Sequence, residues 1–169
     1  MERVFGTEVF DRGDMIEQAL QTKFLSKTAI TAIVGTRVLV GERHFVDVDD
    51  LPALTIERPF QADARRNQEL DGTECDLQFP HFEFVAHALL KEEAQVLAKV
   101  ARQVLHGIRN GGTVSVTNPE TGGAATVTIE QVDVLAEFDD PEEDIGHGNT
   151  DRPRVIRARV GWREDVTSL

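Results

Sequence analysis

KEEAQVLAKVARQVLHGI, residues 91–108, is the stretch on which the fold turns. Leu97, Ala101, Val104, Leu105 and Ile108 recur at three- and four-residue spacing, which lays them in one stripe along an α-helix. Glu92, Glu93, Lys99 and Arg102 fall outside that stripe. The two glutamates stand at the start, where the helix dipole favours negative charge, and Gly107 with Asn110-Gly111-Gly112 brings the helix to an end. A second stretch, RVIRARVGWREDV at residues 154–166, has the other period. Ile156, Ala158, Val160 and Trp162 share one face of a strand, while Arg157, Arg159 and Arg163 share the opposite face. One side belongs in a core and the other is strongly basic.

Working outward from these two, Asp14-Met15-Ile16-Glu17 reads as a capping-box-like helix start, with Ile16, Ala19, Leu20 and Phe24 on one face. Ser26 is a candidate cap for a second short helix carrying Ile30, Ile33 and Val34 inward, with Gly35 as its stop. Residues 37–40 form a short β-branched strand, residues 41–50 a polar connection, and Leu54 and Ile56 alternate with Thr55 and Glu57 as in a half-buried strand. In residues 74–87, Cys75, Leu77 and Phe79 share one parity and Phe82, Phe84 and Ala86 the other, which predicts a bulge or bend at Pro80. Residues 113–117 and 124–138 make a hairpin around a turn at 118–123, and residues 139–151 an acidic loop. The predicted class is α+β: a largely antiparallel sheet with two short N-terminal helices and one long central helix packed on one face. Residues 1–13 form an N-terminal arm, and residues 14–169 a single domain.

Composition narrows the function. Thirty acidic side chains against eighteen basic ones give a net charge of −12, which argues against gripping nucleic acid by counterion release and leaves room for a wall that DNA slides past. No apolar run approaches the roughly 18 to 20 residues of a membrane span, so no membrane partner is expected, and the N-terminus has no signal-peptide pattern. With one cysteine, Cys75, no internal disulfide forms, and its apolar parity reads as a core thiol.

A search for chemistry finds none. His81 and His87 share a strand face, but six residues separate them by roughly 20 Å, too far for one metal. His44, His106 and His147 stand in no HxxxH or HExxH spacing. Asp140 and Asp144 imitate two positions of a calcium loop, yet Ile145 stands where that loop needs glycine. Gly111-Gly112 and Gly122-Gly123 lack the Lys-Ser or Lys-Thr of a phosphate loop, and no serine sits in a GxSxG elbow. The expectation is no enzyme, no metal and no cofactor.

The charged segments point to contacts instead. Arg154, Arg157, Arg159 and Arg163 read either as a solvated strand face or as a subunit interface facing Asp139, Asp140, Glu142, Glu143 and Asp144 of a neighbour. A DNA-contacting role ranks third, since no aromatics interleave with the arginines along that strand. Complementary faces on one protomer favour head-to-tail contacts, which close into rings. The polar stretch 61–72, with Arg65, Arg66, Glu69 and Asp71, is longer than a compact domain needs and reads as a partner-contact loop or as plain flexible chain.

Several strings carry a resemblance. Met15-Ile16-Glu17-Gln18-Ala19-Leu20, then residues 29–35 and Arg37-Val38, resemble the opening of the phage tail-terminator and tail-completion family. Leu51-Pro52-Ala53-Leu54-Thr55-Ile56 resembles its proline-led second strand. Phe82-Glu83-Phe84-Val85-Ala86 and the helix ending Val104-Leu105-His106-Gly107 resemble its middle, and residues 155–162 its closing strand. The resemblance covers residues 14 to 110 well and the remainder by pattern, through an ordered series rather than a diagnostic motif. It implies a protomer that assembles with itself into a ring, usually a hexamer, on the head-proximal end of the tail tube. Such a ring binds the tail tube protein, ends tube growth and docks onto the head-tail connector or stopper protein, and DNA passes through its lumen without specific binding. The implied place is the virion tail or neck, after assembly in the host cytoplasm. The arm and residues 112–151 depart from the pattern, so another neck or tail-completion adaptor stays open beside a terminator proper. A non-virion tail assembly chaperone is the alternative from another class.

Overall fold

The computed structural model describes residues 15–58, 79–108 and 112–164. The arm at residues 1–13, the cap Asp14, the loop with Arg65, Arg66, Glu69 and Asp71, and Cys75, Leu77, Asn110 and Gly111 lie outside the described residues. Helix α1 (Met15–Leu25) buries Ile16, Ala19, Leu20 and Phe24, as its spacing requires. Helix α2 (Thr28–Val34) buries Ile30 and Val34 and stops at Gly35, whose φ of 63° suits a residue without a side chain. Ser26 does not cap α2: its hydroxyl donates back to the Lys23 carbonyl and so ends α1, while Lys27 occupies the cap position with no side-chain bond.

Strands β1 (Val38–Val40), β2 (Ala53–Glu57), β3 (His81–His87), β4 (Thr113–Thr117), β5 (Ala124–Asp139) and β8 (Arg154–Glu164) form one sheet in the order β1-β2-β3-β8-β5-β4. Among the described residues only the β1–β2 pair is parallel. Helix α3 (Lys91–Ile108) packs on β3, β8 and β5, and its stripe joins Phe24, Phe82, Phe84, Ile156, Ala158, Val160 and Trp162 in the main core. The α+β class is as expected: two short helices first, one long helix in the middle, a mostly antiparallel sheet. The β4–β5 turn is also as expected, with the Gly122 N–H donating to the Asn118 carbonyl at a φ of 77°.

The sheet is curled, and α1 bridges its two edges. Six flat strands would put β1 and β4 roughly 24 Å apart, five spacings of about 4.8 Å, yet one helix touches both. Gln18 donates to the Thr117 carbonyl and accepts from the Thr117 N–H, at 2.8 and 3.0 Å. One turn later, Gln21 donates to the Val38 carbonyl at 2.6 Å. Arg43 reaches the Val40 carbonyl at 3.2 Å, so side chains occupy the outward carbonyls of Val38 and Val40 on β1 and the outward backbone of Thr117 on β4.

Three expectations need correction. Residues 139–151 are not a plain loop: β6 (Glu143–Gly146) and β7 (Asn149–Asp151) form a small hairpin, turned at His147 and Gly148 with φ of 55° and 77°. That hairpin puts Ile145 with Phe45, Leu51 and Ala53 in a second apolar cluster on the side of the sheet away from the helices. Strand β2 is therefore buried on both faces rather than one, and Thr55 is 0% exposed. Finally, no bend reverses the parity at Pro80, whose carbonyl accepts from the Val160 N–H in ordinary ladder fashion. Phe79 keeps the parity of Glu83 and lies over Gly161 on the outer face, where an added Cβ would come within 2.5 Å of its ring. The register shifts fall in β5 instead, at Ile129/Gln131 and Val134/Ala136.

Candidate functional site

Strand β8 runs between β3 and β5, so each of its arginines has a carboxylate within reach on a neighbouring strand. On the outer face, Arg157 binds Glu83 directly across the β3 ladder, with its Nε 3.0 Å from Oε2. Arg159 binds Asp133 across the β5 ladder at 3.1 Å, and Arg163 binds Glu130 at 2.7 Å. The guanidinium of Arg157 also lies over Phe138, 5.3 Å from its centroid, and that of Arg159 lies over Phe79 at 5.7 Å. Aromatics therefore do interleave with the basic stripe, contrary to expectation. They come from β5 and from the residue leading into β3, which the spacing along β8 alone does not reveal.

Arg154 belongs to a different network. It has the parity of Ile156, and the second β5 bulge turns Glu137 and Asp139 to the same helix-facing rim. Arg154 donates to Glu137 at 2.5 Å and to Asp139 at 2.7 Å. Arg102 from α3 closes on the other oxygen of Glu137, and Lys91 stands 3.5 Å from Asp139. The Arg154 hydrogen bond holds the Asp139 carboxyl below its ordinary value, and the paired Glu137 and Asp139 raise that of Arg154. Arg154 and Asp139, expected to meet across a subunit boundary, thus meet within one protomer.

The acidic segment is paired largely within the same protomer. Glu142 pairs with Arg152 at 3.4 Å, Glu143 with His44 at 3.1 Å, and Asp144 accepts from the Gly146 N–H. The Asp140 side chain has no partner among the described residues. Its carboxyl is pushed up, by desolvation first and then by Glu83 and Glu42.

Behind the hairpin lies a buried chain that single-strand patterns do not disclose. Asp151 Oδ2 is 2.6 Å from His87 Nδ1, His87 Nε2 is 3.1 Å from Thr55 Oγ1, and Thr55 Oγ1 is 2.7 Å from Glu57 Oε2. Asp151 and His87 are 3% and 5% exposed. Thr55 donates to Glu57, and the tautomer of His87 sets the direction of its two ring contacts. Burial raises the Glu57 carboxyl, which the Thr55 hydrogen bond opposes.

The chain matches no protein-family model, and no curated protein is similar enough to count as a relative.

Chemically, the acid–imidazole–hydroxyl order of Asp151, His87 and Thr55 has the sequence of groups used in nucleophilic hydrolysis. Thr55, however, is fully buried and engaged with Glu57, so no substrate atom reaches its oxygen. The chain instead ties β7 to β3 and β2, pinning the small hairpin to the sheet. Among the described residues no three His, Cys, Asp or Glu side chains are arranged to hold a metal ion, and no helix is long and apolar enough to cross a membrane.

Proposed function

We propose that this chain is a non-enzymatic structural protein of a tailed phage, a ring-forming component of the tail-terminator or tail-completion type. The observation that carries the reading is the order of elements from α1 to α3: two short helices, a strand, the Leu51-Pro52-Ala53 strand entry, the Phe82–Phe84 strand, then the long helix on one layer. That order is the one on which the resemblance rests. The side-chain bonds to Val38, Val40 and Thr117 fit it as well, because they oppose strand addition at those points of the edges and favour contacts through faces. In this reading the partners are further copies of the chain, six where the ring is the hexamer that the resemblance implies, with the tail tube protein on one side and the head connector or stopper on the other. DNA traverses the lumen past a protein of net charge −12 without specific binding.

The charge pairing within one protomer favours a second reading. Every arginine of the β8 stripe already has a carboxylate, as suits an adaptor or tail assembly chaperone that works as a monomer. The two readings separate on mass. Light scattering after size-exclusion chromatography at several concentrations is expected to show growth towards a closed ring, and electron micrographs to show that ring on tail-tube ends. A monomer that neither assembles nor binds tubes would end the ring reading. Changing Arg157 and Arg159 together to glutamate is expected to keep the fold and lower the oligomer fraction; unchanged mass would remove them from the interface.

A further inference from the structure

We infer that the β6–β7 hairpin is a pH-dependent clasp, closed on the sheet while His87 carries a proton on both ring nitrogens and released as pH rises and the second proton leaves. The hairpin's ladder is its own, a two-stranded unit apart from the six-stranded sheet. At its base the Asp140 N–H donates to the Pro153 carbonyl, and the Arg152 N–H donates to the Ala88 carbonyl beyond β3 at 2.9 Å. A lone pair of short strands is marginal in water, so the hairpin depends on side chains to stay down. These are Ile145 in the small apolar cluster, Arg152 on the Leu89 carbonyl, the exposed His44–Glu143 contact and the buried His87–Asp151 contact.

The proton count at His87 carries the inference. Thr55 has one hydroxyl proton and donates it to Glu57 at 2.7 Å, so its oxygen meets His87 Nε2, 3.1 Å away, as an acceptor. At the other nitrogen the acceptor is Asp151 Oδ2, at 2.6 Å. A ring protonated at both positions serves both. A neutral ring, in either tautomer, leaves one contact without a proton, or draws the Thr55 proton away and strips Glu57 of its donor. Thr55 and Asp151 are buried, so water does not replace what is lost. The Phe45 ring lies 4.9 Å from the imidazole, a contact that favours the cationic form.

The surroundings act in the same direction. Glu42, Arg43 and His44 face His87 from the connection between β1 and β2, Glu57 from β2, and Asp140, Glu143 and Asp151 from the hairpin and the residue leading into it, with Glu83 further along β3. Acids outnumber bases there, and Arg43 is bonded to the Val40 carbonyl, His44 to Glu143 and Arg152 to Glu142. Burial, before any other cause, raises the Glu57 and Asp140 carboxyls. Their ionisation on rising pH adds negative charge around Asp151, which a neutral imidazole does not balance. Histidine in ordinary surroundings changes charge between about pH 5 and 8. Release uncovers Phe45, Leu51 and Ala53 on the face of the sheet away from the helices.

The clasp stands independently of the virion reading, and a monomer that fails the ring keeps it. The test is amide hydrogen exchange of the full chain by NMR at about pH 6 and about pH 8, each amide corrected for its intrinsic dependence on pH. Protection in the β6–β7 ladder is expected to fall about tenfold between the two, the loss that follows from one linked proton over one pH unit, while α3 and β8 keep theirs. The His87 ring resonances are expected to move over the same range of pH. His87→Gln is expected to remove the pH dependence, and His44→Gln to retain it. Where His87→Gln does not fold, the wild-type protein decides alone, by whether the His87 ring and the loss of protection share one midpoint. Equal hairpin protection at both pH values, or a loss shared by α3 and β8, would overturn the clasp. So would a loss that persists in His87→Gln, disappears in His44→Gln, or has a midpoint apart from that of the His87 ring.

Discussion

On the helix side of the sheet, Phe82, Phe84, Ile156, Ala158, Val160 and Trp162 merge with α1 and α3 into one apolar cluster. On the other side, Glu83, Asp133 and Glu130 hold Arg157, Arg159 and Arg163, and among the described residues a small apolar cluster of Phe45, Leu51, Ala53 and Ile145 gathers beneath the β6–β7 hairpin. The same strands serve both faces, so backbone pairing is common to them and the difference lies in what each face excludes. The helix side excludes water and is held by area. The outer side keeps water over its arginine stripe, where exposed ion pairs contribute at most about 1 kcal/mol each, and excludes it beneath the β6–β7 hairpin, around His87, Asp151 and the small apolar cluster.

This contrast can be broken or sharpened, starting with the largest effect. Phe84→Ala empties a fully buried site between Phe24 and Phe82 and is expected to cost about 3 to 5 kcal/mol in urea unfolding. A loss below that of any outer-face variant would reverse the ranking of the two faces. Asp151→Ala leaves His87 without its buried carboxylate and is expected to cost about 2 to 3 kcal/mol. Faster hydrogen exchange should be confined to the β6–β7 hairpin and its anchor on β3, and a uniform rise across the sheet would show that the hairpin is not a separate unit. Gly161→Ala pushes against the Phe79 ring and is expected to cost about 1 to 2 kcal/mol. The ring can turn out to solvent, so a neutral result, with the Phe79 resonances shifted to solvent-like values, would mean that its place over Arg159 adds little.

The smallest effect is a pH dependence. Burial raises the folded-state Glu57 carboxyl above its ordinary 4.5, so the folded state holds a proton that the unfolded chain has lost. The stability this contributes is present below the ordinary value and is lost as pH rises through the raised one. Glu57→Gln should therefore be the more stable protein at neutral pH, relative to wild type, with the difference closing as pH falls below 4.5. A difference that widens on acidification would contradict the raised carboxyl.

The helix side was legible in the sequence because each of its elements announces itself alone. The stripe of α3 and the alternation of β8 need only their own periods. The outer side was not, because its contacts join residues far apart in the chain: His87 and Asp151 are 64 positions apart, and Thr55 and His87 are 32. Period alone puts Thr55 on the correct face but cannot reveal that a hairpin covers it. The arginines were found, whereas their carboxylates on β3 and β5 depend on register and on the bulge at Val134/Ala136, which turns Glu137 and Asp139 to the helix rim. The β6–β7 hairpin left one signal, the His147-Gly148 pair between short alternating segments, which the density of acidic residues obscured.

The bridge made by α1 has a consequence for the order in which the chain folds. Gln18 meets Thr117 across 99 positions, so the strap that joins the sheet's two margins is a contact of very long loop. Helix α1 is made early during synthesis, but it has no second margin to grasp until β4 has been made, and β5 lies against β3 only once β8 stands between them. Contacts of that span carry a large closure entropy and form late. Until then α1 has only the β1 margin to hold, where Gln21 meets Val38 17 positions away. The bond from Gln18 to Thr117 is thus the long-range end of a strap whose other end, at Val38, is local.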